Sequence, residues 1–189
     1  MIINEKYKFI FIAVPKTGTT SIEQFLLNNV EGSVKDMSDK HKHLTAREIK
    51  RKIPDYDNYV KITVVRNPYD WYVSWYTYRQ RSNSKISSNG LTLKEYIEKY
   101  PMDEQVNFIK DSDGKVRIDY IIRFENGIET ELIKILNKLR IPYKEISFDK
   151  INVSTMRKFR DYKEYYDVET KIIVDKLQKN TLRTFDYIF

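Results

Sequence analysis

Apolar residues in this chain come in short dense blocks, each followed by a break and then a segment with helical spacing. Residues 8–14 (KFIFIAV) are almost continuously apolar, which predicts a strand buried on both faces, as in a parallel sheet. Pro15-Lys16-Thr17-Gly18 breaks that run, and Thr19–Asn29 then carries Ile22, Phe25 and Leu26 at helical spacing. The order repeats: residues 59–65 (YVKITVV) predict a second buried strand, Arg66-Asn67-Pro68 a break, and a helix through about Arg81. Asn67 suits the N-cap and Pro68 the first helical position. Asp70 falls in the first turn, where a negative charge complements the helix dipole. Residues 118–124 (IDYIIRF) predict a third strand and residues 128–139 a third helix.

Two further helices are announced by capping boxes, Thr45 with Glu48 and Thr92 with Glu95. Residues 155–180 read as helical and charged, ahead of an aromatic end, Phe185-Asp186-Tyr187-Ile188-Phe189. Strands alternating with helices predict an α/β fold, a mostly parallel central sheet flanked by helices. The 189 residues suit one domain. Ligands of such sheets bind beyond the carboxyl ends of the strands, where the loops at Lys16, Arg66 and Glu125 fall. Residues 81–90 form the clearest polar loop, suited to a mobile lid or to a plain surface connection.

Composition narrows the chemistry. There is no cysteine, which removes disulfides, thiolate metal sites and a cysteine nucleophile together. The only histidines are His41 and His43, so imidazole chemistry must use that one segment. A formal charge of +7 favours anionic partners without choosing among nucleotide, nucleic acid, acidic sugar and membrane surface. No apolar stretch approaches the roughly 18–20 residues of a membrane helix, and the start lacks the basic-then-apolar order of a secretory signal. A cytoplasmic protein without membrane insertion is the expectation.

Pro15-Lys16-Thr17-Gly18-Thr19-Thr20-Ser21 is the most informative stretch. A loop that leaves a buried strand and enters a helix aims backbone N–H groups and the positive dipole end at one point. Gly18 lets the backbone approach an anion, the hydroxyls of Thr19, Thr20 and Ser21 add donors, and Lys16 adds a mobile charge. That combination suits a phosphate. It differs from the nucleoside-triphosphate loop, whose lysine follows the second glycine; here Lys16 precedes the glycine and Ala13 stands where the first glycine would be. In the second unit Arg66 offers a planar fork suited to phosphate, and Ser74, about two turns into the helix, a hydroxyl. The face of Trp71, Trp75 and Tyr78 on that helix reads as core packing rather than a base-stacking surface.

P-K-T-G-T-T-S after a first strand resembles the 5′-phosphosulfate loop of sulfotransferases that use 3′-phosphoadenosine 5′-phosphosulfate (PAPS). Residues 65–76 (VRNPYDWYVSWY) are similar to the 3′-phosphate motif of that family. Residues 42–49 (KHLTAREI) and Arg123-Phe124-Glu125-Asn126 resemble segments of its carbohydrate-type branch, as do Asn152-Val153-Ser154, residues 162–167 and the aromatic end. The resemblance implies a P-loop-like three-layer fold and PAPS as sulfate donor. It implies a nucleotide sulfate donor and a hydroxyl-bearing acceptor, a sugar or polysaccharide, as partners, with no nucleic acid and no metal.

Under that resemblance Lys16 stabilises the leaving phosphate, residues Lys16, Thr17, Gly18, Thr19, Thr20 and Ser21 hold the 5′-phosphate, and Arg66 and Ser74 hold the 3′-phosphate. His43 is the expected base: an imidazole titrates near pH 6.5, and this one lies in a polar stretch just before a capped helix. His41 is the fallback, and some members of the family use a glutamate. Arg157, in the basic segment 152–160, is a further candidate for the nucleotide, against a solvated helix face. Two other readings stay open: a magnesium-dependent kinase with a degenerate loop, and a non-catalytic polyanion-binding module with a steep salt dependence.

Overall fold

A computed structural model describes residues 1–35, 43–80, 86–144 and 156–189. In chain order the first elements are β1 (Ile2–Asn4), β2 (Phe9–Ile12), α1 (Thr19–Asn29), β3 (Ser33–Lys35) and α2 (Ala46–Lys52). Then come β4 (Val60–Val65), α3 (Pro68–Arg79), α4 (Leu93–Lys99), β5 (Tyr120–Arg123) and α5 (Ile128–Lys138). The chain closes with α6 (Val168–Leu177) and α7 (Lys179–Thr184). The described residues form two compact units, one of residues 1–65 and 107–152, the other of residues 66–106 and 153–189.

The first unit holds a five-stranded sheet of order β3-β1-β2-β4-β5, flanked by helices. β2, β4 and β5 run parallel, with Ile12 opposite Thr63 and Val65 opposite Arg123. The expectation of a mostly parallel sheet needs correction at one edge, where β1 and β3 add two antiparallel pairings. These strands have three residues each, too few to show a period of two in sequence. All four residues of β2 are buried, as its unbroken apolar run required. Phe9 and Phe11 join Ile22, Phe25 and Leu26 of α1 and Leu132 and Leu136 of α5 in one core. Ile10 and Ile12 alternate to the opposite face and are equally buried. Burial of each such side chain contributes about 1.5–3 kcal/mol, which ties α1 and α5 to one face of the sheet.

The second unit is helical and aromatic. Tyr69, Trp71, Tyr72 and Val73 of α3 pack with Leu93, Tyr96 and Ile97 of α4 and Val174 of α6. Core packing is thus the role of Trp71, while Trp75 and Tyr78 stack edge-on along the same face, half-buried. Phe189 sits among Tyr69, Tyr162 and Tyr166 with ring centroids 4.9, 5.8 and 5.5 Å away. The Asn67 side chain donates to the Ile188 carbonyl at 3.1 Å, fixing this aromatic end at the start of α3.

The single helical stretch read over residues 155–180 is corrected to a 3-10 turn at Tyr162–Tyr165 followed by α6 and α7. Aspartates set the starts: Asp161 accepts from the Lys163 N–H and Asp167 from the Thr170 N–H. Both predicted capping boxes are complete, each threonine paired reciprocally with its glutamate.

Candidate active site

Three successive carbonyls at the exit of β2 are each held by a side chain. The Ile12 carbonyl accepts from the Thr63 hydroxyl at 2.8 Å, and the Val14 carbonyl from the Thr17 hydroxyl at 2.9 Å. The Ala13 carbonyl lies 2.8 Å from Nδ1 of His43. The loop that follows is therefore tethered before it turns. Lys16 takes a left-handed backbone at φ 62, and Gly18 does so at φ 78. Gly18 is the N-cap of α1 and supplies no side chain to cap it. Ser21 closes the first turn by donating its N–H to the Gly18 carbonyl at 3.2 Å. Thr17 is fully buried and its proton goes to Val14, so Thr17 has only its backbone N–H to offer an anion.

Glycine at position 18 has two causes. The positive φ disfavours a Cβ, and a Cβ there would stand 2.9 Å from Cδ1 of Ile128 and 3.2 Å from Cε2 of Phe124. Phe124 belongs to the R-F-E-N turn, so that turn backs the loop and sets its path. Gly18→Ala is expected to cost about 1–2 kcal/mol for the backbone and a further 1–3 kcal/mol for overpacking. Gly114→Ala is the control, with φ 78 as well and nothing within 4 Å of its Cβ position. The two urea midpoints separate the contributions; equal losses would mean that Phe124 and Ile128 do not press on the loop.

His43 is half-buried two residues before the Thr45 cap of α2. A carbonyl oxygen only accepts, so the 2.8 Å contact with Ala13 requires the proton on Nδ1. Nε2 is then the basic nitrogen. His41 and Lys42 lie outside the described residues, as do Ser154 and residues 81–85 of the polar loop.

In the second unit Arg66 is 8 % exposed at the head of α3. Its Nε donates to Oδ2 of Asp70 at 2.8 Å, and its Nη2 lies 2.6 Å from the same oxygen. The other oxygen of Asp70, Oδ1, is 2.9 Å from Nη1 of Arg157. Arg157 is steadied by its Nε, which donates to the Phe159 carbonyl at 2.8 Å. Lys158 and Arg160 beside it are exposed. The Arg66 peptide is gripped by the buried Gln105 amide, which accepts from its N–H at 3.1 Å and donates to its carbonyl at 2.8 Å. Ser74 is buried on α3, and its hydroxyl has no hydrogen-bond partner among the described residues. Sequence reading named Arg66, Ser74 and Arg157 but gave Asp70 only a dipole role and missed Gln105. The Arg66–Asp70 spacing of i, i+4 was the available signal for the first; nothing in sequence marked the second.

A model described as the sulfotransferase family matches residues 1–179, a span that runs through both units. The chain belongs to the sulfotransferase family. The sulfotransferase fold is also found by structure: mouse sulfotransferase SULT7A1, solved in complex with PAP, matches with a TM-score of 0.60. The match covers 97 % of this chain and 87 % of that one at 15 % identity. No curated protein matches this sulfotransferase by sequence. Among its described residues no helix is long and apolar enough to cross a membrane.

Proposed function

We propose that this sulfotransferase moves a sulfuryl group from PAPS to a hydroxyl or amine acceptor, with a carbohydrate as the acceptor class. The observation that carries the reading is the tethered loop ahead of α1, with left-handed backbone at Lys16 and Gly18 and no side-chain cap on the helix. An uncapped helix start with a lysine beside it attracts a phosphate. The PAP in the crystal structure of the mouse relative supports the same donor. The carbohydrate acceptor rests on the resemblance of residues 42–49 and 123–126 to the carbohydrate branch and on the charge of +7.

PAPS supplies a sulfuryl group bonded to a phosphate that leaves with the bridging electrons. The backbone of residues 16–20 and the hydroxyls of Thr19, Thr20 and Ser21 hold the 5′-phosphate, while Arg66, Ser74 and Arg157 take the 3′-phosphate. Lys16 meets the negative charge that develops on the bridging oxygen. The acceptor proton passes to Nε2 of His43, the nitrogen left basic by the Nδ1–H bond to Ala13. Positioning and electrostatics are the protein's main contributions, as in phosphoryl transfer.

Calorimetric titration without magnesium tests the donor assignment. Adenosine 3′,5′-bisphosphate is expected to bind in the micromolar range and ADP at least tenfold more weakly, because only the former carries the 3′-phosphate. Equal binding of the two would overturn the assignment and favour a magnesium-dependent kinase.

A further inference from the structure

We propose that Asp70 is a positioning residue that creates the preference for a 3′-phosphate by holding Arg66 and Arg157 on one carboxylate. The proposal rests on the donor reading above. Each oxygen of Asp70 faces one guanidinium. Oδ2 is hydrogen-bonded to Nε of Arg66 at 2.8 Å, with Nη2 at 2.6 Å. Oδ1 forms an ion pair, without hydrogen-bond geometry, with Nη1 of Arg157 at 2.9 Å. The side chains of Arg66 and Asp70 are 9 % and 12 % exposed, so solvent screens this pair little.

One carboxylate and two guanidiniums sum to a single positive charge. Without the carboxylate, two like charges would repel each other and swing apart, still attractive to anions but without a defined geometry. With it, both long side chains are ordered before a ligand arrives, and less entropy is lost on binding. The clamp is itself fixed. Asp70 lies in the first turn of α3, Arg66 is held through its peptide by Gln105, and Arg157 is held through Nε by Phe159. A dianionic phosphate gains from two aligned guanidiniums, whereas a ribose hydroxyl gains little. Asp70 therefore governs selectivity among nucleotides more than overall anion affinity.

The test measures dissociation constants for adenosine 3′,5′-bisphosphate and ADP, without magnesium, on the full chain and its variants. In Asp70→Asn the bisphosphate is expected to weaken about tenfold to a hundredfold, the worth of a charge-assisted contact, with ADP changed less than twofold. In Arg157→Ala a similar selective loss is expected. The double variant is expected to lose no more than Asp70→Asn alone, because an unheld Arg157 contributes little. A folded Asp70→Asn that keeps the wild-type ratio of the two constants overturns the proposal, and so do additive losses in the double variant. Should Asp70→Asn fail to fold, Asp70→Glu, which keeps the charge and moves it by one methylene, decides: an unchanged ratio overturns the proposal, a reduced one upholds it. A wild type without any preference would instead remove the donor reading on which the proposal stands.

Discussion

Arg66→Ala is expected to abolish discrimination between adenosine 3′,5′-bisphosphate and ADP, weakening the bisphosphate by roughly tenfold to a hundredfold or more. The substitution removes the guanidinium whose Nε and Nη2 both reach Oδ2 of Asp70 and which is assigned the 3′-phosphate. ADP lacks the 3′-phosphate and is expected to change little. Arg66→Lys is expected to recover only part of the loss, since an ammonium keeps the charge but not the planar fork. Stability falls too. Removing one partner of a buried pair costs up to about 3–5 kcal/mol, and the surviving ion pair of Asp70 with Arg157 at 2.9 Å keeps the loss below that ceiling. Titration calorimetry on protein shown to be folded by circular dichroism checks the result. Bisphosphate affinity unchanged in a folded Arg66→Ala would take the 3′-phosphate away from α3.

Local chemistry was legible in the sequence wherever one short segment settles its own conformation. The Thr45–Glu48 and Thr92–Glu95 boxes start helices because each pair satisfies its own backbone N–H groups, and both form with reciprocal bonds. Asn67 and Pro68 start α3 for the same local reason. The apolar run of β2 fixed its place in the sheet interior, and the loop after it followed. β1 and β3 escaped because a three-residue strand is defined by its pairing partners and not by its own pattern. The break before α6 was readable in principle: Asp167, three residues ahead of Thr170, is an N-cap signal that the charged periodicity of the stretch obscured.

The candidate site was legible in its motifs and not in its couplings. Lys16, His43, Arg66 and Ser74 were singled out by the segments they stand in, a loop between buried strand and helix above all. What orients them comes from groups with no sequence signature. The Ala13 carbonyl sets the His43 tautomer, and any residue would supply that carbonyl. Gln105 reaches the Arg66 peptide from another part of the chain. Asp70 joins Arg66 to Arg157, whose segment is far away in sequence. Gly18 was read as room for a ligand; it is also room for Phe124 and Ile128, which pack where a Cβ would be.

His43→Ala is expected to lower kcat by about a hundredfold to ten-thousandfold, the range for losing a positioned general base, while bisphosphate affinity stays within twofold of wild type. The split follows from where the side chain is anchored. His43 is bound to the Ala13 carbonyl and precedes α2, and Arg66, Ser74 and Arg157 are assigned the 3′-phosphate without it. A merely structural role would instead disturb the β2 exit and weaken the nucleotide along with the rate. His41→Ala is the matched control and is expected to keep near-wild-type turnover. Single-turnover transfer of radiolabelled sulfuryl groups from PAPS to a mixture of acidic oligosaccharides reads the chemical step, and calorimetry reads the binding. A fall of less than about tenfold would move the proton to another side chain, a glutamate being the alternative in this family. Loss of rate together with an equal loss of bisphosphate affinity would make the Ala13 contact only a tether of the loop and not also the device that leaves Nε2 basic.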